Sequence, residues 1–171
     1  MLNPAHVRAV IEMANRSPYF ELLSMRIVTL EPGLCVVEIP LQQKHLNAFG
    51  GLHGGVYSSL IDTAAFWSAY CELDEGLGLT SLDVQVTNVA PATSGMLIGT
   101  GRRIKMGRTM CLTEGSVTSG EGKLLAHGTS KLLVTASLQT IDQAARAMGA
   151  GPLPPKFLDG AGVDLPAGKE G

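Results

Sequence analysis

Near the start of the chain, apolar residues recur at helical spacing. Val7, Val10, Ile11 and Ala14 share one face of a helix. Asn3-Pro4 supplies an N-cap followed by proline at the first helical position. The pattern predicts a short amphipathic helix over residues 4–15, ended by Ser17-Pro18. Arg26–Leu30 and Leu34–Leu41 are rich in β-branched residues and flank the turn signal Glu31-Pro32-Gly33, which predicts a hairpin. Gln42 to Leu52 is a polar, glycine-containing loop. His53 to about Leu73 then predicts one long helix, favoured by Ala64, Ala65 and Ala69 and closed by Gly76 and Gly78.

Strand-like segments follow. Over Thr80–Val89 the pattern alternates, with Leu82, Val84 and Val86 on one face and Ser81, Asp83, Gln85 and Thr87 on the other. Met96–Met106 faces Arg108–Ser119 across Met106-Gly107, and Lys123–Leu138 follows Gly120-Glu121-Gly122. Segregated strands and helices of this kind predict an α+β domain with the long helix packed on one face of an antiparallel sheet. The division expected is an N-terminal helix and linker over 1–20, a core domain over 21–140 and an extension over 141–171. The last part holds six glycines and four prolines in residues 149–171. That composition predicts a largely flexible segment, because it buries little apolar surface against its ordering entropy.

Composition narrows the function classes. The 171 residues are 45% hydrophobic, 16% charged and 5% aromatic, with a formal net charge of −2. The length suits one domain with its own core. The near-neutral balance and the scarcity of aromatics argue against nucleic acid as the ligand. Cys35, Cys71 and Cys111 are far apart and odd in number, and they read as reduced core residues. His6, His45, His53 and His127 are scattered without metal-ligand spacing, so neither a metal nor a cofactor is expected. His45 reads as a polar loop residue. No GxSxG elbow is present. The longest uncharged runs, Leu46–Ile61 and Val84–Gly101, are interrupted by glycine or proline and do not predict a membrane span. The first residues carry Pro4, Arg8 and Glu12 rather than a leader-like apolar core, so a cytoplasmic protein is expected.

The stretch with chemical potential is Asn47-Ala-Phe-Gly-Gly-Leu-His53-Gly54-Gly55-Val56, followed by Asp62. Two glycines at a helix start leave backbone N–H groups open to a ligand, and the helix dipole favours negative charge there. A carbonyl oxygen becoming an oxyanion is such a ligand. Tight packing of the helix start against a neighbour accounts for the glycines equally well. Asp62 is the only Asp, Glu, Lys or Arg between Lys44 and Glu72. It fits either a paired carboxylate at a helix–helix contact or a catalytic acid–base group. Its helical face carries Gly55, Ser58, Ser59, Ala65 and Ala69, small residues that would admit a close neighbour. The face with Val56, Leu60, Ala64 and Trp67 is expected to pack on the sheet. Gly54 and Asp62 are eight residues apart, about 12 Å along one helix. One small reacting group cannot touch both within a chain. If both act on one bond, two antiparallel helices about a twofold axis must bring them together, which predicts a homodimer with shared sites.

The constellation Asn47-x5-His53-Gly54-Gly55-x6-Asp62 resembles the signature of the hotdog-fold acyl-CoA thioesterases, in particular the phenylacetic acid degradation (PaaI-type) group. The resemblance runs from about Leu23 to Val134 and includes Ser81-Leu82-Asp83, Pro91 and Lys105-Met106-Gly107-Arg108. It implies a long helix wrapped by a curved antiparallel sheet, with dimers joined edge to edge and paired again into homotetramers. It also implies hydrolysis of an acyl-CoA to free acid and coenzyme A. Asp62 would be the general base or nucleophile, and Gly54 or Gly55 the oxyanion donor. Asn47 and His53 would orient the thioester. Ser81 would place the water or the carboxylate, with Thr80 as its rival.

Two further groups stay open in the sequence. Arg102, Arg103, Lys105 and Arg108 form the densest basic cluster, and alternation puts Arg103 and Lys105 on one face. They fit either contact with the phosphates of coenzyme A or an ordinary solvated edge. Phe49, Tyr57, Trp67 and Tyr70 fit either an acyl pocket or core packing. The competing readings of function are a hydratase or dehydratase acting on an enoyl thioester and a non-catalytic acyl-CoA-binding module.

Overall fold

A computed structural model describes residues 1–158. Helices α1 (Pro4–Asn15) and α2 (Pro18–Leu23) precede strands β1 (Arg26–Glu31) and β2 (Leu34–Pro40). A 3-10 turn at Gln43–His45 leads to the long helix α3 (Gly54–Tyr70). Strands β3 (Gly78–Asn88), β4 (Met96–Met106), β5 (Met110–Ser119) and β6 (Leu124–Thr135) follow, and α4 (Ile141–Ala147) ends the series. The six strands form one antiparallel sheet in the order β1-β2-β4-β5-β6-β3. The architecture is α+β, with α3 on the inner face of the sheet.

The depth of α3 is set by missing side chains. Gly101, Gly115 and Gly128 are direct neighbours across β4, β5 and β6. A Cβ on Gly101 would lie 2.0 Å from the Ala64 carbonyl oxygen, and one on Gly115 would lie 3.2 Å from Ile61 Cγ2. Backbone therefore meets backbone at the middle of the helix. Around this contact Val37, Ile39, Leu60, Ile61 and Leu97 are fully buried, each contributing about 1.5–3 kcal/mol by leaving water. A smaller cluster of Ala69, Leu73, Cys111, Leu132 and Val134 closes the far end of the helix. All three cysteines are unpaired and buried. Desolvation pushes their thiols up, Cys71 to about 11.

Several expectations are corrected. The first helix stops at Asn15, before Ser17-Pro18 as expected, but Pro18 also begins a second, unexpected helix, because proline is tolerated in a first helical turn. The long helix stops at Tyr70, and Gly78 opens β3. Ala65 and Ala69 are fully buried. The outward stripe of α3 is instead Gly55, Ser58, Ser59, Asp62, Thr63 and Phe66. Trp67, expected on the sheet side, is half-buried and lies edge-on between Phe66 and Tyr70.

Two single-residue bulges overturn the alternation expected of β3 and β4. Pairing skips Leu82 between Ser81 and Asp83, and Ile104 between Arg103 and Lys105. An extra residue in a strand reverses which face each later residue takes. Ser81 therefore shares the helix-facing side with Val84 and Val86, which pack against the core, while Leu82 is 53% exposed. Likewise Arg103 turns inward and Lys105 outward, so the two basic side chains lie on opposite faces. The stretch expected as a flexible extension contains α4, and residues to 158 pack back on the body. Phe157 bridges Leu2, and Lys156 is buried. Residues 159–171 of that stretch lie outside the described residues.

Candidate active site

The start of α3 is built by local hydrogen bonds. His53 is the N-cap in an extended conformation, and its Nδ1 accepts the Gly55 N–H at 2.9 Å. A ring that accepts at Nδ1 carries its proton on Nε2. The next N–H, from Val56, donates to the His53 carbonyl. The two glycines are thus unequal. Gly55 spends its N–H on the cap, whereas the Gly54 N–H has no partner among the described residues. A Cβ at Gly54 would lie 3.1 Å from Asn88 Nδ2, so the bare helix start leans on the end of β3.

His45 holds this helix start in place. It is 1% exposed. Its Nδ1 accepts from the Gln42 N–H at 3.0 Å, and its Nε2 donates to the Leu23 carbonyl at 2.9 Å. Its own carbonyl accepts the His53 N–H at 2.9 Å. Burial pulls the imidazole pKa down against the opposing pull of the Leu23 carbonyl. A residue expected as a polar loop position is therefore a buried pivot joining α2, the loop and the cap of α3. Nothing in the spacing of the histidines signals this, because both ring partners are backbone groups.

Asn47 folds the loop that precedes the helix. Its Oδ1 accepts from the Phe49 N–H at 2.9 Å and the Gly51 N–H at 3.3 Å. Its backbone N–H bonds the Gly51 carbonyl. This presents Phe49 at the loop tip, 98% exposed. Phe49 is far from any core role and does not join Trp67 and Tyr70. Tyr57 is buried, with its hydroxyl donating to the Ala90 carbonyl at 2.9 Å.

Eight residues after Gly54, Asp62 sits half-buried on the outward stripe of α3. Its Oδ1 accepts the Ser81 hydroxyl at 2.7 Å. Thr80 makes no such contact, so Ser81 is the strand residue that the structure brings to the carboxylate. Ser59, one turn earlier on the same stripe, shares a 2.6 Å hydrogen bond with Tyr19 of α2. Asn47, His53 and Gly54 gather at one end of the helix, and Asp62 and Ser81 at its middle. The basic cluster is elsewhere. The Arg103 guanidinium forms a two-point ion pair with Glu72, Nη2 to Oε1 at 2.8 Å, just beyond the end of α3. Lys105 and Arg108 are exposed and make no ion pair among the described residues.

Comparison with known proteins bears on the family and the fold. Residues 49–126 match the family model described as the thioesterase superfamily. Human acyl-coenzyme A thioesterase 13 is 31% identical over 126 residues, covering 71% of this chain and 89% of that protein. The 1,4-dihydroxy-2-naphthoyl-CoA hydrolase of Listeria monocytogenes is 29% identical over 105 residues, covering 61% of this chain and 85% of that protein. A solved thioesterase from Haemophilus influenzae superposes with a TM-score of 0.69 at 23% identity, covering 75% of this chain and 90% of that one. A putative esterase from Mycobacterium tuberculosis gives 0.68 at 23% identity, covering 72% and 100%. The fold is the hotdog fold, a curved antiparallel sheet around one long helix. The chain belongs to the thioesterase superfamily.

Proposed function

We propose that this protein hydrolyses acyl-CoA thioesters to a free acid and coenzyme A. The observation that carries the reading is the hydrogen bond from Ser81 of β3 to Asp62 of α3, the helix whose start leaves the Gly54 N–H open. Thioester hydrolysis needs an activated oxygen nucleophile and stabilised charge on the carbonyl oxygen, and these two features supply one each. The names of the relatives support the substrate class.

In the general-base route Asp62 takes a proton from water as the water oxygen attacks the thioester carbon. The carbonyl oxygen gains the negative charge and accepts the Gly54 N–H. Collapse of the tetrahedral intermediate breaks the C–S bond, and the proton leaves with the sulfur. In the nucleophilic route Asp62 itself attacks the thioester carbon and expels coenzyme A as its thiolate, leaving a mixed anhydride that water splits into the free acid and the restored carboxylate. His53 and Asn47 shape the oxyanion end in either case, and Ser81 steers the carboxylate. The exposed Lys105 and Arg108 suit the phosphates of coenzyme A, as does Arg103 if it exchanges Glu72 for the ligand.

The roughly 12 Å between Gly54 and Asp62 on one helix requires two copies for each reacting bond. The open outer edge of β3, eleven residues long and next to the site, suits edge-to-edge pairing of the sheets. Homodimers with shared sites, paired into a homotetramer, are the proposed assembly. Buried, unpaired cysteines suit a reducing compartment such as the cytoplasm.

The test is thiol release from acyl-CoA by Asp62→Ala and Asp62→Asn, with folding checked by circular dichroism. A fall in kcat of at least about a hundredfold is expected of a lost base or nucleophile. A folded variant at full rate removes Asp62 from the reaction. Single turnover in 18O-labelled water separates the routes, because only the nucleophilic one leaves solvent oxygen on Asp62.

A further inference from the structure

A cavity of about 580 Å3 lies away from the glycine end of α3. It begins one turn beyond Asp62, where Phe66 and Trp67 of α3 face Thr80 of β3. From there it runs towards Tyr70 and is closed by Met13 and Phe20 of α1 and α2, by α4 at Ala144, and by residues 153–156. We propose that this cavity receives the hydrocarbon part of the acyl group, and that the terminal segments of the chain set the length it accepts. The inference rests on the assignment of the reacting carbonyl to Asp62.

Position, size and polarity argue for this occupant. The volume lies within the usual range for a small-molecule site. Asp62 and Ser81 do not line it, but Phe66, one turn beyond Asp62, and Thr80, the neighbour of Ser81, do. From Asp62 to Tyr70 is about 12 Å, the span of about ten bonds of an extended chain at about 1.2 Å per bond. Most of the lining is apolar. The buried polar groups at its far wall are already partnered. His6 Nδ1 donates to the Pro154 carbonyl, and its Nε2 accepts the Tyr70 hydroxyl, both at 2.6 Å. Lys156 Nζ donates to the carbonyls of Tyr70 and Leu73 and lies 4.3 Å from the centre of the Tyr70 ring. No buried side-chain nitrogen or oxygen among the described residues lacks a partner. A ligand here is therefore held by apolar contact and not by a polar anchor. The exposed carboxylates of Asp74, Glu75 and Asp142 at the rim repel an acyl group ending in a second carboxylate.

Part of the wall lies outside the family match. Apart from α3, β3 and the loop of residues 73–77 between them, the lining comes from residues 6–20 and 138–156, outside the segment that matches the family model. Lys156 fastens the last of these segments to the carbonyl end of α3.

Trp67, the single tryptophan of the sequence, lines the cavity and reports on it. The experiment titrates the full-length protein with S-alkyl coenzyme A thioethers from methyl to hexadecyl and follows Trp67 emission. These probes cannot be hydrolysed. Affinity is expected to rise about fourfold per buried methylene until the cavity is full, then level off. Ala144→Phe should move the plateau to shorter chains and leave the methyl probe unchanged. Met148→Phe, at the exposed rim, gives a second obstruction should the first not fold. Equal affinity at all lengths, or a plateau unmoved by both variants, overturns the proposal. A fully active Asp62→Asn would instead defeat the catalytic assignment while the titration stays readable. A flat titration beside an inactive Asp62→Asn defeats only the cavity.

Discussion

Ser81 Oγ donates a 2.7 Å hydrogen bond to Asp62 Oδ1, joining an edge strand to the central helix. A hydrogen bond to a charged group contributes about 1.5–3 kcal/mol. If that interaction persists in the transition state, Ser81→Ala should lower kcat by about ten- to a hundredfold with little change in KM. Thr80→Val should leave kcat within about twofold, since Thr80 does not touch the carboxylate. Steady-state thiol release from an acyl-CoA checks both. Equal effects of the two variants would break the assignment of Ser81.

Gly54→Pro isolates the open N–H. Proline suits the first helical position, and His53 already has the extended conformation that a following proline requires, φ −66° and ψ 132°. The variant should fold, with the exposed Asn88 amide giving way to the new Cβ, and lose about 10²–10³ in kcat if that N–H holds the oxyanion. Retention of activity would transfer the role to another donor.

Shared sites make a mixing prediction. Asp62→Asn and Gly54→Pro chains are each expected to be inactive alone. Refolded together at equal amounts, half of the dimers carry one chain of each, with one intact site of two. About a quarter of wild-type activity should return. Sites lying within single chains would restore none.

The pH dependence of folding reports on Lys156. Burial pulls its ammonium down to about 8 from an ordinary 10.5. Between these values the unfolded chain holds more proton than the folded one, so stability rises with pH. The favourable contribution is fully present above about 10.5 and is lost as pH falls through about 8. In denaturant titrations the wild type should therefore gain stability relative to Lys156→Met between pH 7 and pH 10. A constant difference would show that the folded-state pKa is not displaced.

The basic side chains divide by their surroundings. Lys105→Ala and Arg108→Ala should raise KM for acyl-CoA and leave it unchanged for a short thioester lacking the nucleotide. Arg103→Ala removes the ion pair with Glu72 and should also lower the thermal transition. Parallel kinetics on the two substrates and a melting curve check this.

The legible part of the molecule is the part governed by local rules. The N-cap at Asn3, the hairpin at Pro32-Gly33 and the long helix after His53 follow from turn chemistry and propensity, and all three are present. The His53-Gly54-Gly55 and Asp62 constellation was visible because its spacing fits one helix. The faces of β3 and β4 were not legible, because a bulge carries no signal in alternation itself. Leu82 and Ile104 look like ordinary strand residues until the partner strand is known. His45 was hidden because its partners are peptide groups. The cavity was hidden because its walls combine the middle of the chain with both of its ends, which Asn3 and His6 tie together at residues 154–156.

The three adjacent glycines beneath α3 have a consequence for variation. At Ile61 and Ala64 the helix rests directly on the sheet's peptide planes. Exchanging one apolar side chain for another elsewhere in the interior then leaves the height of Asp62 above the sheet unaltered, so the interior can drift while the carboxylate keeps its place. That tolerance ends at the three contact points. Gly101→Ala, whose methyl group would meet the Ala64 carbonyl at 2.0 Å, lifts the whole helix and with it everything the helix carries.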